Sequence, residues 1–242
     1  MHERRSFTVF PCHFIFTALL LFFVPIWGSV FNLSSAQAAI AWTPSSGTGN
    51  GLVWSNGRGS DKNLFGNPTV TPTSTSNTFS FAPDDFRADS VDGKSVLTSD
   101  SLQFDIKADD EIEKIVFAEG GSYNITGTGS VKATCSITIV NLDVYQVINK
   151  TFEVTPSLAE GTWSESFEVD GIDWSHIRIT MSNKLIARSS GVGSSSWIDK
   201  EVVGVNDGVG IEIIMVPEPA TIGILTMGSL AVSALGRKRN RR

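Results

Sequence analysis

Four carboxylates, Glu165, Glu168, Asp170 and Asp173, fall close to Trp163 and Trp174. Two acids flanking a glycosidic bond would run glycoside hydrolysis, and a tryptophan face would stack on a sugar ring. Acids are spread through the whole middle of the chain, however, so surface solubility explains this cluster better than a paired acid and base. Asp84, Asp85, Asp89 and Asp92 precede Gly93, and Asp109, Asp110 and Glu111 form a second run. Both gather the hard oxygens that calcium prefers, yet neither has EF-hand spacing, and aspartate in turns accounts for them. A structural calcium ion is the one cofactor these residues admit; otherwise no cofactor and no metal site is assigned. His176 is the lone histidine between residues 39 and 215, too few for zinc, and no serine stands in a nucleophile elbow. Gly127-Thr128-Gly129 leads into no helix, so it lacks the geometry of a phosphate loop. No catalytic residue is assigned, and the chain is expected not to be an enzyme.

The elements that hold these residues read as strands. Leu102, Phe104 and Ile106 alternate with polar neighbours, as do Val131, Ala133, Cys135, Ile137 and Ile139. Ile177, Ile179 and Met181 share one face of a further strand, with His176, Arg178 and Thr180 on the other. Additional strands are expected at Leu52–Trp54, Thr78–Phe81, Glu111–Phe117, Tyr123–Ile125, Tyr145–Thr155, Trp163–Val169, Trp197–Val203 and Val209–Ile214. Gly120-Gly121, Asp170-Gly171 and Pro156 are read as strand ends. No segment keeps a 3.6-residue apolar period. Short strands at intervals of about ten residues predict an all-β fold, an antiparallel β-sandwich or jelly roll. Residues 39–94, rich in Ser, Thr and Gly, form its irregular start and 95–215 its body.

The chain carries a net charge of −6, but its charges are unevenly placed. Residues 39–215 hold 23 of the 25 acids and only 12 of the 19 Lys and Arg. That balance excludes a nucleic-acid partner, which needs a basic face to displace counterions. Two cysteines, Cys12 and Cys135, exclude a disulfide scaffold. Cys135, inward on its strand, is expected to be a small core residue rather than a nucleophile.

Both ends address a membrane. Arg4 and Arg5 precede a long uncharged run rich in Phe and Leu, which closes on Ala36-Gln37-Ala38. Residues 1–38 therefore read as a signal peptide, cut after Ala38 by signal peptidase. At the other end Pro217-Glu218-Pro219 precedes the apolar segment Ala220–Gly236. As a helix this segment would be about 25 Å long, near the lower limit for a transmembrane helix. Arg237, Lys238, Arg239, Arg241 and Arg242 then form a basic stop.

Residues 216–242, with this motif, helix and basic end in this order, resemble the PEP-CTERM sorting signal. The resemblance implies a substrate of exosortase, a membrane-embedded cysteine transpeptidase of Gram-negative bacteria that cuts near the motif. It implies a membrane-anchored precursor that is exported across the inner membrane, then presented at the cell surface or released. It also implies a setting of extracellular polysaccharide. The expected function is thus that of an exported, sorted surface or matrix protein with a non-catalytic domain. The alternative is a lectin-like carbohydrate-binding module presenting Trp54, Trp163, Trp174 or Trp197, with a secreted glycan-active enzyme behind it. Coplanar tryptophans facing solvent would favour binding, and buried ones a structural role.

Overall fold

A computed structural model describes residues 38–201 and 209–216. Ala36 of the cleavage motif, the Pro217–Pro219 motif, the segment 220–236 and the basic end lie outside the described residues, whereas Ala38 lies within them and is exposed. The described residues contain strands and no helix. In chain order the strands are β1 (Ile40–Ala41), β2 (Gly47–Thr48), β3 (Leu52–Gly59), β4 (Thr69–Pro72), β5 (Ser76–Phe81) and β6 (Arg87–Val91). They continue as β7 (Ser95–Thr126), β8 (Gly129–Asn141), β9 (Val147–Val154), β10 (Glu160–Ser189), β11 (Ser195–Asp199) and β12 (Val209–Met215). All pairings are antiparallel.

The fold class is the antiparallel β-sandwich that the alternation predicts, but its construction differs from a set of short strands. β7 and β10 are 32 and 30 residues long and pair along most of their length. Each serves both layers. The first half of β7 and the second half of β10 sit with β3, β8 and β9; the other halves sit with β12, β5 and β4. The corner falls where the register slips between Asp170 and His176, with Gly171 at φ 62° and Asp173 at φ 49°. Such extra residues bend a strand and change which side chains face inward. On β7 the buried set accordingly moves from Leu102, Phe104, Ile106 and Ala108 to Ile115, Phe117 and Glu119.

Two expected strand ends are thus strand interior. Asp170-Gly171 makes the corner. Gly121 is glycine for a different reason than a turn: a Cβ there would lie 1.9 Å from the Asp199 carbonyl oxygen.

Aromatic side chains join the layers. Phe79 on β5 meets Phe104 on β7 with ring centres 4.7 Å apart, and Trp42 meets both Phe81 and Phe104 within 5.5 Å. Residues 39–94 therefore supply central core, with Trp42, Leu52, Trp54, Phe65, Phe79 and Phe81 all buried. Cys135 is buried as expected. Burial pushes its thiol far above the ordinary range, with the neighbouring Glu119 charge adding to the shift, so it carries no thiolate character.

Candidate functional site

Because side chains alternate along a strand, burying one face of β7, β8 and β10 turns a second set outward together. Cross-strand register then arranges that set in rows. Arg58 on β3, Gln103 on β7, Thr180 on β10, Thr138 on β8 and Asn149 on β9 form one row. Ser101, Ser182, Ser136 and Thr151 form the next, followed by Ser99, Lys184, Thr134 and Glu153. The result is a sheet face of hydroxyls and amides with charges of both signs, Arg58 and Lys184 against Glu153. Thr138 donates to Asn149 at 2.8 Å and Thr151 to Ser136 at 3.2 Å, which orients the hydroxyls across β8 and β9.

At one end of this face Arg178 clamps Asp105 through two hydrogen bonds, Nε to Oδ1 at 2.6 Å and Nη2 to Oδ2 at 2.9 Å. Asn56 adds a third at 2.8 Å. Burial raises the Asp105 carboxyl, but these hydrogen bonds and the Arg178 charge outweigh it and hold the group below its usual value. The clamp thereby fixes both the guanidinium and the β3 bulge at Asn56, where φ is 56°. Beyond it, Asn141 Oδ1 accepts from the backbone of Asp143 and Val144, and His176 Nδ1 lies 3.0 Å from Asp143 Oδ1. This turn presents Tyr145, 77% exposed, rather than opening the next strand with it.

Two clefts open in the rows next to this clamp, against the loop that follows β3. One, of 280 Å³, is lined by Arg58, Asp61, Gln103 and Thr180 among others. The second, of 300 Å³, is lined by Lys62, Ser99, Ser182 and Lys184, and the two share Ser60, Asp61 and Ser101. Asp100, in the second cleft's lining, accepts from the Ser60 hydroxyl and from the backbone of Leu64 and Ser101, pinning the loop after β3. Gln103 Nε2 is buried in the first cleft's lining without a hydrogen-bond partner. A buried donor left unpaired costs about 1–3 kcal/mol.

The four tryptophans do not form a platform on this face. Trp54 and Trp163 are buried, the first edge-on to Phe79 and the second donating its Nε1 hydrogen to the Asp199 carbonyl at 3.0 Å. Trp174 is half-buried against the core beside the corner, and Trp197 on β11 is half-buried with the Arg87 guanidinium 4.1 Å above its ring. The acids Glu165, Glu168, Asp170 and Asp173 are exposed and line neither cleft, and Glu168 pairs with Lys114 at 3.1 Å. Among the described residues no group of three or more His, Cys, Asp or Glu side chains is placed to hold a metal ion. Asp85 and Asp92 take left-handed turn conformations, and Asp92 accepts from the Gly193 backbone at 2.9 Å.

Arg58, Gln103 and Tyr145 escaped the sequence reading. The outward alternation of His176, Arg178 and Thr180 was the signal that pointed to this face, although not to its partners on β3 and β7.

No protein-family model matches the chain, and no curated protein matches it. Among solved structures the chain is similar to TmCBM61, solved in complex with β-1,4-galactotriose, at 12% identity, covering 66% of this chain and 81% of that one with a TM-score of 0.25. It is similar to a CBM4 at 12% identity, covering 64% and 88% with a TM-score of 0.23. It is also similar to a protein of infectious bursal disease virus, Gx strain, at 13% identity, covering 72% and 49% with a TM-score of 0.31. None of the three superposes closely enough to transfer a site.

Proposed function

We propose that this chain is an exported protein, sorted by exosortase, whose β-sandwich serves without catalysis at the cell surface or in an extracellular polysaccharide matrix. The observation that carries the reading is the order of the C-terminal pieces: Pro217-Glu218-Pro219, an uncharged apolar segment, and five basic residues among the last six. The two prolines lock their φ angles and withhold backbone donors, which keeps the motif extended for an enzyme's cleft. The apolar segment holds it at the membrane, and the basic end resists passage. Replacing Pro217 and Pro219 together by Ala is expected to leave the full-length chain in the inner membrane of a host that makes exosortase. Fractionation with antibody to the β domain checks this, and wild-type processing of the variant would end the sorting reading.

A second reading, carbohydrate binding, draws support from the polar sheet face. Its rows of hydroxyls and amides, together with the Arg58 cation, suit a hydroxyl-rich polymer held by hydrogen bonds. The full chain is expected to be retarded in gels containing the host's own extracellular polysaccharide, and Gln103→Ala with Thr180→Val to lose that retardation. Equal mobility of both proteins with and without polysaccharide would remove the binding role and leave the sorting reading untouched.

A further inference from the structure

The sandwich core contains one group of polar side chains that the surface reading does not use. Lys200, directly after β11, is buried, and its Nζ lies 2.6 Å from Glu119 Oε2 on β7. The other oxygen of the same carboxylate accepts from Nδ2 of Asn183 on β10. Asn183 is fully buried, and its Oδ1 has no hydrogen-bond partner. Apolar rings surround the amine: the Trp163 ring centre lies 4.9 Å from Nζ and that of Phe86 5.9 Å. One carboxylate therefore holds a primary amine and a carboxamide side by side, all three side chains shielded from solvent.

A purely structural ion pair does not need this arrangement. A buried Lys–Glu pair is poor at stabilising a core, because desolvation offsets the attraction. A single neutral hydrogen bond from Asn183 does little to repair that balance, and it leaves the carboxamide oxygen orphaned. The same three groups are what amide exchange requires: a nucleophile, an electrophilic carbonyl, and an acid–base group touching both. Holding them in one geometry replaces a bimolecular encounter by an intramolecular one, with effective molarities on the order of 10⁵ M or more.

We propose that Lys200 and Asn183 condense into an isopeptide bond, with Glu119 relaying the protons, and so join the chain after β11 covalently to β10 across the core. A proton first passes from the Lys200 ammonium to Glu119 Oε2, turning two buried charges into a neutral amine and a carboxylic acid. The Asn183 amide keeps its Nδ2 against the other carboxyl oxygen, Oε1, so the acid faces the future leaving group. The Nζ lone pair attacks Cγ; the C–N bond forms as the carbonyl π pair moves onto Oδ1. Glu119 gives its proton to Nδ2 and takes one from Nζ. The Cγ–Nδ2 bond then breaks, its electron pair leaving on ammonia, and the carbonyl re-forms. The chain loses one ammonia and nothing is oxidised or reduced. Glu119 ends as the acid, able to donate to the new amide carbonyl or to pass its proton to the departing ammonia.

Cys135 stands opposite Asn183 in the β8–β10 register and also neighbours Glu119. As an un-ionised thiol it does not compete with the amine for Cγ. The inference rests on the core alone and is independent of how the chain is sorted.

The test is peptide mapping of the full chain by trypsin and tandem mass spectrometry. The expected product is a branched species in which peptide Ile179–Lys184 is attached through Asn183 to the peptide that begins at Ser189 and carries Lys200. Its mass is lower by one ammonia than the two parents together, and no cleavage occurs after Lys200. Linear peptides at full mass, with cleavage after Lys200, would overturn the proposal. Glu119→Gln keeps the side chain's size but cannot take a proton from the amine, and it is expected to show only linear peptides. A branched peptide in that variant would remove Glu119 from the reaction.

Discussion

Glu119→Ala is expected to lower the unfolding free energy of the sandwich by about 3–5 kcal/mol, the usual cost of removing one partner from a buried ion pair. The carboxylate contacts Lys200 and Asn183 at once, and both are buried. Its loss leaves an ammonium among Trp163 and Phe86 with no anion, and a carboxamide with neither end paired. The direction is the same whether the wild-type pair is ionic or has condensed, because the variant holds the uncompensated ammonium in either case. Urea unfolding of the full chain followed by tryptophan fluorescence measures the change. A loss below about 1 kcal/mol, the range of exposed pairs, would mean that Lys200 finds water in the folded state.

Trp54→Ala is expected to destabilise by a similar amount, about 3–5 kcal/mol, through the cavity left by a large buried ring. The indole packs edge-on to Phe79 at 5.9 Å and tilted against Trp42 at 6.0 Å. On its other side a Cβ at Gly47 would sit 2.7 Å from Trp54 Nε1, so the β2 backbone closes over the ring. Neighbouring rings cannot collapse far, because Trp42 is itself fixed by Phe81 and Phe104. The same substitution separates the two roles read from the sequence. A glycan contact would cost binding and leave the unfolding midpoint in place; a core residue shifts the midpoint.

What the sequence made legible follows from period-two burial. Leu102, Phe104 and Ile106, or Ile177, Ile179 and Met181, show their inward face because the outward neighbours are polar. The outward row at Arg178 and Thr180 was visible for the same reason. Strand ends were not, because glycine signals two different things. Gly171 supplies a left-handed corner inside β10, whereas Gly121 supplies the missing Cβ that lets the Asp199 carbonyl approach. The second reason is not local, since Asp199 is far along the chain. Tryptophan was ambiguous in another way: an indole suits a sugar as well as a core, and only the packing of Phe79 and Trp42 decides for Trp54. The Lys200–Glu119–Asn183 group was invisible because its members come from three separate segments, and a lysine or glutamate in isolation reads as surface. The face with Arg58 and Gln103 required the register of β3 on β7, which no single strand contains.

On the proposed reading both ends address the chain to a membrane, and the sandwich is what persists outside. Terminal sequencing of the wild-type protein recovered from its host tests it most directly. The expected result is a mature chain that starts at Ala39 and ends near Pro217–Pro219, found in the outer fractions or the medium. A chain still carrying Arg237–Arg242 and recovered from the inner membrane of an exosortase-containing host would contradict it.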